Sequence, residues 1–185
     1  MADTRISDMP ARSSLAGSDA FENSAGGTSY ETTLSSLLSW LRGQDSIKAA
    51  RVYHNADQSI SHNSVTKLAF NSERHDTDTI HDNASNNTRL TCVTAGKYQI
   101  TVNVSFASNA TGVRLVRILL NNTTVIANYL VDACATDRTV ISLSTMYDLA
   151  AADYVEAQVF QTSGSSVNVE ALGNYSPEFM MAKMG

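Results

Sequence analysis

The chain has 185 residues, 43% of them hydrophobic and 17% charged, with a formal net charge of -5. That length fits one domain with an extension or two small domains, and the composition is globular, too apolar for a disordered chain. The 13 basic residues run from Arg5 to Lys183 without clustering, which argues against a phosphate-tracking surface and so against a nucleic-acid partner.

Wholly apolar stretches reach four residues at most, as around Ile118-Leu119-Leu120, so no membrane span and no membrane partner is expected. The opening Met1-Ala2-Asp3-Thr4-Arg5 is charged and leads into no apolar segment, which excludes a signal peptide and predicts synthesis and assembly in a cytoplasm. Asn-X-Ser/Thr sequons such as those at Asn83, Asn103 and Asn121 then read as strand-face and turn residues rather than glycosylation sites. Cys92 and Cys134 fit no metal-ligand spacing and are expected to be buried thiols.

Residues 1–48 are rich in Ser, Ala, Gly and Asp and are expected to form an attachment segment rather than a domain with its own core. Turns near Pro10 and at Gly26-Gly27 join short extended pieces around Ile6 and Phe21. Leu34, Leu37, Leu38 and Leu41 fall at i, i+3, i+4 and i+7, one stripe of a helix capped by Thr32 or Thr33 and stopped at Gly43. So short a helix needs a partner surface, either the chain's own body or another protein.

From Ala49 onward the pattern is that of strands. Segments 49–54 and 65–70 come first, then a polar loop over 71–87 with a short strand near Thr79-Ile80, then 89–93. Between Lys97 and Phe106 apolar and polar residues alternate without a fault, predicting a strand with one buried face and one wet face. Segments 113–120 and 124–130 flank Asn121-Asn122, a pair that tolerates the positive φ of a tight hairpin. Segments 139–147, 154–161, 166–172 and 179–184 complete the set. Eight to ten strands in one domain predict an all-β fold of two packed sheets, a jelly-roll sandwich over residues 49–185.

No nucleophile elbow, phosphate loop or dinucleotide fingerprint is present, and no cofactor is expected. The best chemical candidate is His75-Asp76-Thr77-Asp78-Thr79-Ile80-His81-Asp82, whose acids and imidazoles have the makings of a cation site. Ca²⁺ prefers an all-oxygen shell, so a solvated loop with no catalytic or metal role is the expectation. His54 and His62 are isolated, and Glu156 and Glu170 are expected on solvated strand faces. Of the late tyrosines, Tyr147, Tyr154 and Tyr175, only Tyr175 falls in a clear loop.

Several short motifs resemble the C1q/TNF-like jelly roll. They are Ala49-Ala50-Arg51-Val52 at the first strand, Gly96-Lys97-Tyr98-Gln99-Ile100 opening the long central strand, and Leu119-Leu120-Asn121-Asn122 at a hairpin. Leu149 through Asp153-Tyr154-Val155 and the closing Phe179-Met180-Met181-Ala182 follow in order, although the family's usual glycine in the last strand is replaced by Met181 or Ala182. The resemblance implies a homotrimer packed through one sheet. Tyr98, Phe179, Met181 and Met184 are its expected interface residues, because the C-terminal strand is apolar on both faces.

The N-terminal series Ile6-Ser7-Asp8-Met9-Pro10, Leu15 to Phe21, Gly26-Gly27-Thr28-Ser29 and Thr33-Leu34-Ser35-Ser36-Leu37 is similar to leaders on tailed-bacteriophage virion proteins. That likeness implies attachment of the chain to another virion protein, capsid or tail, through Ile6, Pro10, Phe21, Leu34, Leu37, Leu38 and Leu41. The absence of heptads and fibrous repeats excludes a long fibre. The expected function is therefore a non-enzymatic, trimeric capsid decoration protein or short head fibre located in the virion. The alternative is a tail-tip or tail-fibre module that recognises a host surface glycan or protein.

Overall fold

The computed structural model of the protein describes residues 20–25, 28–44 and 47–184, so Ile6 and Pro10 lie outside the described residues. The chain divides into two compact units, Met1–Ser46 and Ile47–Gly185. In the first, β1 (Ala20–Ala25) and β2 (Thr28–Thr33) form an antiparallel hairpin in which Ala25 pairs with Thr28 and Phe21 with Thr32. Helix α1 (Leu34–Gln44) follows directly. Its cap is Thr33, whose Oγ1 accepts the Ser36 N–H at 3.1 Å. The helix continues through Gly43 to Gln44, past the stop that the glycine led one to expect.

The second unit is a sandwich of two antiparallel sheets. The larger has seven strands: β3 (Ala49–Tyr53), β4 (Gln58–Ile60), β6 (Ser72–Asp76), β8 (Gly96–Phe106), β11 (Thr139–Leu149), β13 (Val167–Val169) and β14 (Glu178–Lys183). Its lateral order is β4-β13-β8-β14-β3-β6, with β11 paired to β8. The five-stranded sheet holds β5 (Thr66–Lys67), β7 (Arg89–Thr91), β9 (Val113–Leu120), β10 (Thr124–Asp132) and β12 (Tyr154–Gln161). Asn121 and Asn122 both take positive φ, 49° and 60°, turning β9 into β10 as the pair predicted.

Alternation decides the core. Tyr98, Ile100, Val102, Val104 and Phe106 of β8 are all fully buried and meet Val116 and Ile118 of β9 and Val155, Ala157 and Val159 of β12 between the sheets. Phe70 and Phe179 stack with ring centroids 5.4 Å apart. One end of the sandwich holds a buried arginine bonded to backbone carbonyls through both terminal nitrogens, its Nε left without a hydrogen-bond partner. Arg114 is fully buried, and its Nη1 and Nη2 donate to the carbonyls of Thr111, Val113 and Asn109 at 2.9–3.0 Å. Burial lowers its pKa. Beside it Gly112 takes φ +74°, and a Cβ there would sit 2.1 Å from the Thr162 carbonyl oxygen, so only glycine fits.

The structure departs from the predicted strands in the first third. Segment 71–87 is not all loop: Ser72–Asp76 is β6, paired with β3, whereas Thr79 has φ 51° and Thr79-Ile80 lies outside any strand. The segment read as a strand over 65–70 contributes only Thr66–Lys67, and Gln58–Ile60 adds a strand not predicted.

Candidate assembly surface

Because β14 lies between β3 and β8, its alternate residues define the two faces of the larger sheet. Phe179 and Met181 point inward, opposite Val52 and Val102, and Ala50 and Ile100. Glu178, Met180 and Ala182 point outward with Arg51, Ala49, Gln99 and Thr101. This corrects the expected interface: Tyr98, Phe179 and Met181 are at most 1% exposed and belong to the chain's own core, leaving none of their surface for a partner. Burial also raises the Tyr98 phenol's pKa, and its Oη donates to the Thr94 carbonyl at 2.6 Å. Of the four residues, only Met184 is exposed.

The outward face mixes short and long side chains. Across β3, β14, β8 and β11 one row reads Ala49, Ala182, Gln99, Met146, and the next Arg51, Met180, Thr101, Ser144. They enclose an open depression of about 230 Å³ lined by Ala49, Arg51, His75, Gln99, Met180 and Ala182 among others. Three of its polar side chains are paired within the face: Gln99 Nε2 donates to Ser144 Oγ, and Thr101 Oγ1 lies 2.7 Å from the same hydroxyl.

One end of the face holds a buried carboxylate. Glu178 is fully buried, with Arg51 Nε 2.7 Å from Oε2 and Arg74 Nη2 3.0 Å from Oε1. The two guanidinium groups also donate to the Asn174 and Gly173 carbonyls, and Arg74 lies 3.8 Å over the Tyr53 ring. Sequence reasoning missed this cluster because its members are scattered along the chain.

The outer face of the five-stranded sheet covers itself differently. Glu156 is 2% exposed, held by Lys67 Nζ at 2.9 Å and Thr88 Oγ1 at 3.1 Å, which corrects its expected solvation. Gln158 Oε1 accepts both Nε and Nη2 of Arg117, and Arg89 lies over the Tyr154 ring. Glu170 also has a partner, Arg138 Nε at 2.6 Å.

At the seam where edge strands β10 and β11 approach, Tyr129 and Tyr147 occupy inward-facing rows opposite Val116 and Tyr98. They nevertheless remain 51% and 37% exposed. The molecule thus carries a shallow apolar face and, separately, an aromatic edge.

The His-Asp segment is structural. Asp76 accepts the backbone N–H groups of Asp78, Ile80 and His81, and Asp82 those of Ala84 and Ser85, which lower the Asp82 pKa. His81 Nδ1 lies 3.1 Å from Glu73 Oε1. Among the described residues no group of three His, Cys, Asp or Glu side chains is placed to hold a metal ion. His54 and His62 each make a turn contact, to Ala56 O and from the Gly164 N–H. Cys92 is a buried thiol whose pKa burial raises; Cys134 is half-exposed, and the Thr136 and Asp137 N–H groups lower its pKa.

Two antiparallel sheets with the C-terminal strand inserted between β3 and β8 define a C1q/TNF-like jelly-roll sandwich. Among solved structures the chain is similar to murine APRIL at pH 5.0, with 8% identity and TM-score 0.57. It is also similar to murine APRIL at pH 8.5, with 9% identity and TM-score 0.54. Both matches cover 75% of this chain and all of the other. No protein-family model and no curated protein sequence matches.

Proposed function

We propose that the protein is a non-enzymatic virion structural protein of a tailed phage. In this reading it is a homotrimer, a capsid decoration protein or short head fibre, joined to another virion protein through residues 1–48. Assembly would take place in the host bacterial cytoplasm. The observation that carries the trimer is the pairing of two different unpartnered surfaces on one sandwich. A shallow apolar sheet face on one copy and the Tyr129–Tyr147 edge on the next make a heterologous contact, which generates a ring when the rotation between copies closes. The C1q/TNF-like likeness supports a ring of three. The attachment role is supported by the ordered leader motifs, now joined by a hairpin and a capped helix where those motifs call for them.

Light scattering of the purified chain at micromolar concentration is expected to give three times 19.9 kDa. Ala182→Glu places a carboxylate in the depression and is expected to reduce the mass to one chain while the thermal transition of the sandwich persists. A wild-type chain that runs as a monomer ends the trimer reading.

The attachment reading is tested by a chain that begins at Ile47, which retains the complete sandwich core. It is expected to fold and to be absent from particles assembled in its presence; normal incorporation rules the attachment role out. Immunogold labelling of intact particles with antibody to the sandwich then separates capsid from tail.

The second reading, host recognition at a tail tip, is supported by one feature. Leu130, Leu115 and Phe160 form an apolar row across the outer face of the five-stranded sheet, which the proposed trimer leaves free. Label confined to the tail end favours it.

A further inference from the structure

The outer face of the five-stranded sheet, which the proposed trimer leaves free, is opposite in charge to the chain as a whole. Register sets its side chains in rows across the strands. Arg117, Gln158 and Lys67 stand in one row, and Leu119, Glu156 and Arg89 in the next. The apolar row Leu130, Leu115 and Phe160 flanks the first of these on its other side. The two central rows thus carry three cations and one carboxylate, on a chain whose net charge is -5.

That carboxylate does not offset the arginines. Glu156 is 2% exposed, and Lys67 Nζ lies 2.9 Å from Oε1 and 2.8 Å from Oε2. The arginines are held by neutral groups instead. Gln158 Oε1 accepts Nε and Nη2 of Arg117 at 2.9 and 2.7 Å, and the Arg89 guanidinium carbon lies 4.6 Å from the centre of the Tyr154 ring. Arg89 Nε is buried and has no hydrogen-bond partner. Of the acids at the margins, Asp82 and Asp153 accept loop donors. Asp132 stands two rows, about 14 Å along the strands, from Arg117.

Two guanidinium groups are therefore fixed in place with their charge uncompensated. Two strand spacings and two residues of rise put their Cα atoms about 12 Å apart. Guanidinium forks match carboxylates, and holding them ready lowers the ordering cost of binding. One small anion does not span that distance, whereas a polymer that repeats its acid groups does. The adjacent apolar row adds a second requirement, since Phe160 and Leu115 offer a surface to C–H groups. A polymer of sugar acids meets both requirements; a run of Asp and Glu meets only the first.

We infer that this face binds a carboxylate-bearing polysaccharide, with Arg117 and Arg89 on acid groups of different sugars and the Leu130–Leu115–Phe160 row against ring faces. The inference rests on the host-recognition reading above and names its ligand.

The test is calorimetric titration of the full chain with polygalacturonate, hyaluronate, dextran and poly-L-glutamate. At least one of the two uronates is expected to bind and dextran is not, with poly-L-glutamate about tenfold weaker for want of ring faces. Uronate affinity is expected to fall about tenfold between roughly 50 and 300 mM NaCl. Arg117→Glu is expected to abolish binding while the mass by light scattering and the thermal transition hold. Arg89→Gln, a milder change, is expected to weaken binding about tenfold and serves if Arg117→Glu does not fold. Failure of both uronates to bind, or binding that survives these substitutions, overturns the inference. Poly-L-glutamate as tight as the uronates overturns it in favour of an acidic protein, and a ligand-free mass above three chains in favour of a second copy. Uronate binding with immunogold label over the capsid ends the host-recognition reading and keeps the site; label at the tail without uronate binding does the reverse.

Discussion

Replacing Phe179 with alanine is expected to cost about 3–5 kcal/mol of folding stability. The side chain is fully buried, stacks on Phe70 and lies between Val52 and Val102 in the centre of the larger sheet. Its removal leaves a cavity bordered by both sheets, and a sandwich relaxes little because each wall is fixed by ladder hydrogen bonds. The melting temperature of the sandwich is expected to fall by roughly 10 °C. Urea unfolding followed by tryptophan-independent circular dichroism measures the loss directly. The position also separates core from interface: if Phe179→Ala dissociated the trimer and left monomer stability unchanged, the residue would return to the interface from which its burial removes it.

Glu178→Ala is expected to be comparably damaging for a different reason. The carboxylate is fully buried between Arg51 and Arg74, whose side chains are 36% and 29% exposed. Deleting the anion leaves two neighbouring cations without the charge that holds them together. Removing one partner of a buried ion pair costs about 3–5 kcal/mol, and the partial exposure of both arginines favours the lower end. The arginines also hold the Gly173 and Asn174 carbonyls, so the loop before β14 is expected to lose hydrogen-exchange protection together with global stability. Glu178→Gln keeps the shape and loses the charge, and is expected to fall between wild type and alanine in urea titration. Equal stability of all three would mean that the cluster contributes nothing to the fold.

Much of the sandwich was legible because one face of β8, β9 and β12 is dry. Residues 97–106 alternate without interruption, and the structure carries that alternation straight into the core. The Asn121-Asn122 turn was legible because few residues tolerate its backbone. Strand β6 was not, since Ser72-Glu73-Arg74-His75-Asp76 has no apolar face: its side chains make an edge, pairing with Glu178, His81 and the backbone of their own loop. The interface residues were misplaced for a related reason. Phe179, Met180, Met181 and Ala182 are apolar on both sides of one strand, and the pattern alone does not say which side faces the second sheet. Only the register with Val52 and Val102 decides it. The Glu178 cluster joins residues 104 and 127 positions apart, a separation no local motif reports.

The position of β14 also fixes the order in which this molecule can be built. β3 and β8 do not pair with each other; the strand that bridges them is synthesised about 130 residues after β3, as the pairing of Ala49 with Ala182 shows. While a nascent chain is still on the ribosome, the larger sheet is therefore two fragments with unsatisfied margins, each a template for pairing with a neighbouring chain. Contacts of such long range make closure slow. On a polysome, where several copies emerge side by side, the last strand decides between a finished subunit and an entangled one.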